Sequence, residues 1–214
     1  ISQHIGNQME GQIRHLYAYS QLLLALSVNH AAYATTDTSA EFWSMWKEED
    51  HVTLETRVLS LVNKPLPAEI GDSFYDWRED ADWGRGEFAD KGERMVTEQD
   101  RTLVSLLDPS RLLELTHHFL VFDGGRKKIA RYQQYFAVKA TLERVAALNA
   151  QGERTGGVIW HTTGTGKSLT MVMLAKALSL HPNVRNPRVI LVTDRVNLDR
   201  DSAANLQLYR GILD

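Results

Sequence analysis

An α/β fold is predicted by three features of this sequence. An apolar run at 156–161 leads into a glycine-containing loop, a helix from 167 and a second apolar run at 188–193. That order is the pattern of a βαβ unit, which implies a parallel sheet with a right-handed crossover. Residues 25–35 read as a hairpin, and residues 126–148 carry apolar side chains at helical spacing. With 43% hydrophobic and 24% charged residues in 214, the chain has the make-up of one or two globular domains.

Taken in order, residues 12–26 are apolar-rich and include Tyr17 and Tyr19. Strand-forming residues at 25–28 and 31–35 flank an Asn29-His30 turn. Ser39 is placed to cap a helix carrying Phe42, Trp43 and Trp46, aromatics expected in the core. Residues 54–62 suggest a helix ended by Asn63-Lys64-Pro65-Leu66-Pro67. Residues 72–94 mix charge, glycine and tryptophan without periodicity; they read as surface loop with a solvated acidic face rather than a metal cluster. Asp108-Pro109-Ser110 marks a helix start. Leu112, Leu113, Leu115, Phe119, Leu120 and Phe122 would form its apolar face, with Gly124-Gly125 as its stop. His117 and His118 are adjacent, so a helix points them about 100° apart, a poor arrangement for a shared metal. The long amphipathic helix follows over 126–148, with Ile129, Tyr132, Phe136, Val138, Leu142 and Val145 as its stripe. Residues 149–155 are a polar linker, and another helix begins at Asp199.

Several chemistries are excluded. There is no cysteine, so disulfides, zinc-thiolate sites and cysteine nucleophiles are ruled out. The net charge of −3 advertises no global basic field, although a local groove can be basic on an acidic protein. The longest apolar run, residues 22–26, is far too short to span a membrane. A cytoplasmic setting is the default expectation, and an isoleucine at position 1 suggests a piece of something longer.

The run Gly157-Val158-Ile159-Trp160-His161-Thr162-Thr163-Gly164-Thr165-Gly166-Lys167-Ser168 carries the sharpest chemistry. Backbone N–H groups in a small concave loop bind triphosphate oxygens when no side chain blocks the approach. Gly164 and Gly166 supply that freedom. The helix starting near Lys167 aims unpaired N–H groups and its positive end at the same place. Lys167 would set an ammonium on the β- and γ-phosphates, and Ser168 would give its hydroxyl to Mg²⁺. The full pattern wants a glycine where His161 stands.

Three segments in this order and spacing resemble the restriction (R, HsdR) subunit of type I restriction–modification enzymes: residues 127–138, 157–168 and 189–199. That family is an ATP-driven double-stranded DNA translocase of helicase superfamily 2 joined to an N-terminal endonuclease domain. Residues 16–48, with Tyr17-Ala18-Tyr19-Ser20-Gln21 and Phe42-Trp43-Ser44-Met45-Trp46-Lys47, resemble the end of the nuclease domain, and residues 112–123 the connection that follows. The likeness is weakest at 66–100 and after 199.

The resemblance implies a C-terminal part of an α/β nuclease-type domain over 1–50. A polar helical and loop connection follows over 51–110. Residues 111–214 would be the truncated first recA-like P-loop lobe. Gly164, Gly166, Lys167 and Ser168 match its motif I; Thr163 and Thr165 stand where the family more often has Gln and Ser. Gln134, three residues after Arg131, matches the adenine-reading Q motif, since an amide can donate to N7 and accept from N6 of adenine; Gln133 is the rival. Thr193, Asp194 and Arg195 match motif Ia, which contacts the DNA backbone. The implied cofactors are ATP and Mg²⁺; the implied partners are double-stranded DNA and the methyltransferase and specificity subunits. No acidic–Glu/Gln-x-Lys nuclease core is found in residues 1–50, so it is expected upstream; the Asp-Glu-x-His box and arginine finger are expected downstream. The chain by itself is therefore expected to be inactive. The alternatives are another superfamily 2 translocase without nuclease activity and a non-catalytic binding module. An upstream nuclease core would separate the first, and pulldown with the partner subunits the second.

Overall fold

Two antiparallel hairpins and six α-helices make up the described part of the molecule. The computed structural model describes residues 1–65, 67, 69–70, 73, 93–162, 164–184 and 187–192. A short helix α1 (Ser2–Asn7) precedes strands β1 (Leu23–Leu26) and β2 (Ala31–Ala34). Leu26 pairs with Ala31, so the hairpin is present but its loop is four residues, Ser27 to His30, and its first strand lies two residues earlier than the pattern suggests. Ser27 Oγ and the Ser27 N–H both donate to the His30 carbonyl, which closes the longer loop.

The helix expected after Ser39 is only a 3₁₀ turn, Ala40–Phe42. The chain then straightens, and Ser44 exchanges two backbone hydrogen bonds with Tyr33, at 2.8 and 3.0 Å. Sheet pairing has overridden helix propensity here. Of the three aromatics expected in the core, Trp46 is buried, Trp43 is half-buried and Phe42 is exposed.

Helix α2 (His51–Val62) starts earlier than expected because Asp50 caps it, accepting from the Thr53 N–H at 2.9 Å. Helix α3 (Glu98–Leu106) begins on a reciprocal cap between Thr97 and Asp100. Helix α4 (Pro109–His118) starts as read, with Asp108 accepting from Ser110 and Arg111 and proline in the first turn. It ends four residues sooner than the apolar run, at His118, with strand β3 (Leu120–Asp123) taking the rest.

Gly124 and Gly125 are the hinge of a second hairpin rather than a helix stop. Both have positive φ, 55° and 78°, as a two-residue type I′ turn requires. Strand β4 (Arg126–Ile129) returns against β3, with Asp123 opposite Arg126. The long helix α5 therefore covers Tyr132–Ala146, not 126–148. Helix α6 (Lys167–Leu180) packs against it.

The core lies where α4, β3, α5 and α6 meet: Leu115, Phe119, Val121, Val138, Val172 and Met173 are fully buried. Each such side chain contributes about 1.5–3 kcal/mol relative to exposure. Tyr33 and Trp46 reach into the same cluster from the first hairpin's side.

The strands expected at 156–161 and 188–193 are not formed among the described residues. The only sheets there are the two antiparallel hairpins, so the parallel sheet is absent from that part. Val158, Trp160, Ile190 and Val192 are 85–91% exposed. A strand is held by its neighbours' ladder bonds, and no described segment lies alongside to supply them. The acidic stretch at 72–94 and the helix from Asp199 fall almost wholly outside the described residues.

Candidate functional site

The site is built where the start of α5 meets the start of α6. Arg131 caps α5 in extended conformation, and its N–H donates to Gln134 Oε1 at 2.9 Å. That bond turns the Gln134 side chain back across the first turn. Its Nε2 then donates to the Gly166 carbonyl at 3.0 Å and the Thr165 carbonyl at 3.4 Å. Gln134 is 3% exposed, while its neighbour Gln133 faces solvent. The amide thus uses both N–H groups and one acceptor position inside the protein.

The loop is shaped by two left-handed glycines, Gly164 at φ 82° and Gly166 at φ 80°. Thr165 Oγ1 donates to the Thr162 carbonyl at 2.7 Å, tying the loop across its base. His161 Nδ1 stands 3.4 Å from the same hydroxyl, so the residue that replaces a glycine packs against the loop without filling it. Gly166 caps α6 with no side-chain partner, so the helix's first N–H groups are left for another acceptor. The Gly166 carbonyl receives Thr170 N–H and Thr170 Oγ1 besides Gln134, at 3.1 and 3.2 Å. Lys167 is exposed and Ser168 half-buried. Thr163, Thr193, Asp194 and Arg195 lie outside the described residues.

A cavity of about 520 Å³ opens beside the loop. Gly164, Thr165 and Gly166 are among the residues that line it. Strand β4 and the cap of α5 bring Arg126, Lys127, Lys128 and Arg131 to it, and Asp37, Thr38, Ser39, Phe42 and Ser44 also line it. Lys127 Nζ donates to the Ser20 carbonyl at 3.0 Å, and Lys128 pairs with Asp123. Asp37 and Asp123 line the cleft as well, and the four cations outnumber them, so its lining is net positive and suited to anions despite the chain's negative net charge. The wall at 37–44 and the basic strand were missed as site elements. The signal was present: Asp123-Gly124-Gly125-Arg126 is a hairpin turn sequence, and reading it as one places the basic run on a strand.

Among the described residues no group of three His, Cys, Asp or Glu could hold a metal ion. His117 and His118 stand with ring centroids 6.5 Å apart. Ser168 supplies one hard oxygen of the kind Mg²⁺ accepts, the remainder of whose shell is ordinarily phosphate oxygen and water. No helix among the described residues is long and apolar enough to cross a membrane.

The SWI2/SNF2 ATPase family matches residues 133–211, a span that holds Gln134, the loop and α6. Among curated proteins, the Type I restriction enzyme HindI endonuclease subunit of Haemophilus influenzae is 31% identical over 147 residues, 65% of this chain and 14% of that protein. The putative type I restriction enzyme MjaIXP endonuclease subunit of Methanocaldococcus jannaschii is 28% identical over 193 residues, 87% of this chain and 16% of that one. A second protein of that organism, the putative MjaVIIP endonuclease subunit, is 35% identical over 105 residues, 45% of this chain and 10% of its own length. The chain thus spans between a tenth and a sixth of these relatives. No solved structure matches it. The chain is thus similar to the endonuclease (R) subunits of type I restriction enzymes, and its residues 133–211 match the SWI2/SNF2 ATPase family.

Proposed function

We propose that this chain is the ATP-binding portion of a type I restriction–modification enzyme's R subunit, which couples ATP hydrolysis to translocation and cleavage of double-stranded DNA. The observation that carries the reading is the loop itself: two left-handed glycines at an uncapped helix N-terminus line a cleft that four cations also line, and the exposed Lys167 follows directly on the second glycine. Backbone N–H groups of the loop and of the first turn of α6 would take the phosphate oxygens. Lys167 would neutralise the β- and γ-phosphates. Ser168 would contribute a hydroxyl to Mg²⁺, whose chemistry is to offset charge on the transferring phosphate. Arg131 and Gln134 would border the nucleotide, with Gln134 reading adenine if its amide leaves the loop carbonyls.

Thr193, Asp194 and Arg195 are proposed to contact the DNA backbone, as a hydroxyl and a guanidinium are suited to do. In this reading the nuclease-type domain ends within residues 1–50 and the first recA-like lobe starts at 111. DNA and the methyltransferase and specificity subunits are the proposed partners, in the cytoplasm.

Calorimetric titration with ATP and Mg²⁺ tests the proposal. Wild-type chain is expected to bind weakly, and Lys167→Ala to lose at least tenfold in affinity, about 1.4 kcal/mol. Unchanged affinity in the variant would sink the reading. Hydrolysis by this chain is expected to be slow, since no carboxylate that orients water is assigned in it. Turnover at the rate of an intact motor, abolished by Lys167→Ala, would contradict that expectation.

A further inference from the structure

We propose that residues 37–42 form the nucleoside-binding wall of the cleft, with the Phe42 ring stacking on the base and the Asp37 carboxylate accepting from the ribose hydroxyls. The inference rests on the reading of residues 164–168 as a triphosphate cradle.

Its first support is direction. The phosphates belong at Gly164 and Gly166, so sugar and base extend into the rest of a cavity whose volume, about 520 Å³, lies within the range of small-molecule sites. Asp37, Ser39 and Phe42 line that same cavity. The second support is what Gln134 does. Its two N–H groups are on Thr165 and Gly166, and its oxygen is on the Arg131 N–H. While it holds the loop, recognition of the nucleoside falls to other side chains.

Phe42 and Asp37 have the required freedom. Phe42 is 59% exposed, with no ring partner among the described residues. Asp37 has φ 58°, a left-handed conformation uncommon outside glycine. Its N–H is tied to Gln8 Oε1 at 2.9 Å, and its carboxylate has no hydrogen-bond partner among the described residues. An exposed phenylalanine or an aspartate in a turn is ordinary alone. Here both sit on one cleft with a phosphate loop.

The wall is also fixed in place. Ser44 closes the excursion by its two backbone bonds to Tyr33, and the Tyr33 hydroxyl donates to the Ala130 carbonyl at 2.7 Å. Ala130 directly precedes Arg131, so the wall and the start of α5 share one anchor. The N-terminal segment would then contribute to nucleotide choice, which lies outside the SWI2/SNF2 match at 133–211.

Calorimetry on the full 214-residue chain with ATP, inorganic triphosphate and 2′,3′-dideoxyATP separates the claims. Phe42→Ala should weaken ATP about tenfold and leave triphosphate unchanged, since stacking on a base contributes about 1–3 kcal/mol. Phe42→Trp should restore ATP affinity, which controls for a folding defect. Asp37→Asn should erase any preference for ATP over the dideoxy compound. If triphosphate binding requires Lys167 but ATP affinity ignores Phe42 and Asp37, this proposal fails and the loop reading stands. If Lys167→Ala leaves triphosphate binding unchanged, or neither ligand binds, both fail.

Discussion

The Tyr33 hydroxyl donates to the Ala130 carbonyl oxygen at 2.7 Å, joining residues 97 apart in sequence. Tyr33 is 1% exposed, and burial pushes its phenol well above the usual range, so it stays a donor. Its ring meets Trp46 edge-on at 5.7 Å. Ala130 in turn donates from its N–H to the Phe119 carbonyl at 3.0 Å. The first hairpin, the end of α4 and the start of α5 are thereby linked through one alanine.

Tyr33→Phe keeps the ring and removes the donor. The Ala130 carbonyl is left buried with one partner fewer, which should lower stability by about 1–3 kcal/mol. Tyr33→Ala adds a cavity and should cost about 3–5 kcal/mol. Urea midpoints of the three proteins check both figures. Equal midpoints for wild type and Tyr33→Phe would show that the hydroxyl contributes nothing.

Arg111 is the second anchor of this region. Its guanidinium carbon lies 4.9–5.7 Å from the ring centroids of Tyr135, Trp46 and Phe136, and it pairs with Glu48 at 2.6 Å. The two charged side chains are only 21% and 14% exposed. Arg111→Ala leaves Glu48 a poorly solvated charge and should cost about 3 kcal/mol. Arg111→Lys keeps the charge but loses the flat stack and should still cost about 1 kcal/mol. Urea midpoints followed by tryptophan fluorescence read both. A lysine variant as stable as wild type would assign Arg111 a role of charge alone.

Local signals in the sequence located what local chemistry decides. Asp108-Pro109 starts α4 and Gly164-Thr165-Gly166-Lys167 forms the loop, because caps and left-handed glycines act within a few residues. The split of one apolar run at Phe119 was not legible. Leu112 to Phe122 fits a helix stripe throughout, and only the return of Arg126 against Asp123 makes a strand of its end. The part of the cleft formed by Asp37, Ser39 and Phe42 was equally hidden, since it depends on Tyr33 meeting Ser44 and Ala130. Such pairings are set by tertiary contact, which periodicity does not encode.

Asp100 gives the fold an acid-sensitive point. Arg94 binds its two oxygens at 2.7 Å each, and Thr97 donates from N–H and Oγ1 at 2.9 and 2.7 Å. The Arg94 guanidinium foremost, then Thr97, holds this carboxyl well below the usual carboxylate range, outweighing its burial. The folded value being the lower one, the stabilisation is present in full above the unfolded value near ~4 and is lost as pH falls from there. Asp100→Asn should cost about 2 kcal/mol at pH 7 and less at pH 3. Parallel loss of stability in both proteins between pH 5 and pH 3, by chemical denaturation, would remove Asp100 as a source.

Gly166 and Gln134 should prove energetically coupled. A Cβ added at Gly166 would stand 2.7 Å from Gln134 Nε2, and the residue's φ of 80° already disfavours any side chain. The backbone part of a Gly166→Ala change is about 1–2 kcal/mol. Displacing the amide from the Gly166 and Thr165 carbonyls should add about 1–2 kcal/mol. With Gln134→Ala in the background the clash is gone, so Gly166→Ala should cost only the backbone part. A double-mutant cycle in urea then shows a coupling of about 1–2 kcal/mol. The same loop contact predicts that Gln134→Ala alone loosens residues 164–166, seen as faster amide exchange there. Additive energies with unchanged exchange would mean that Gln134 does not hold the loop.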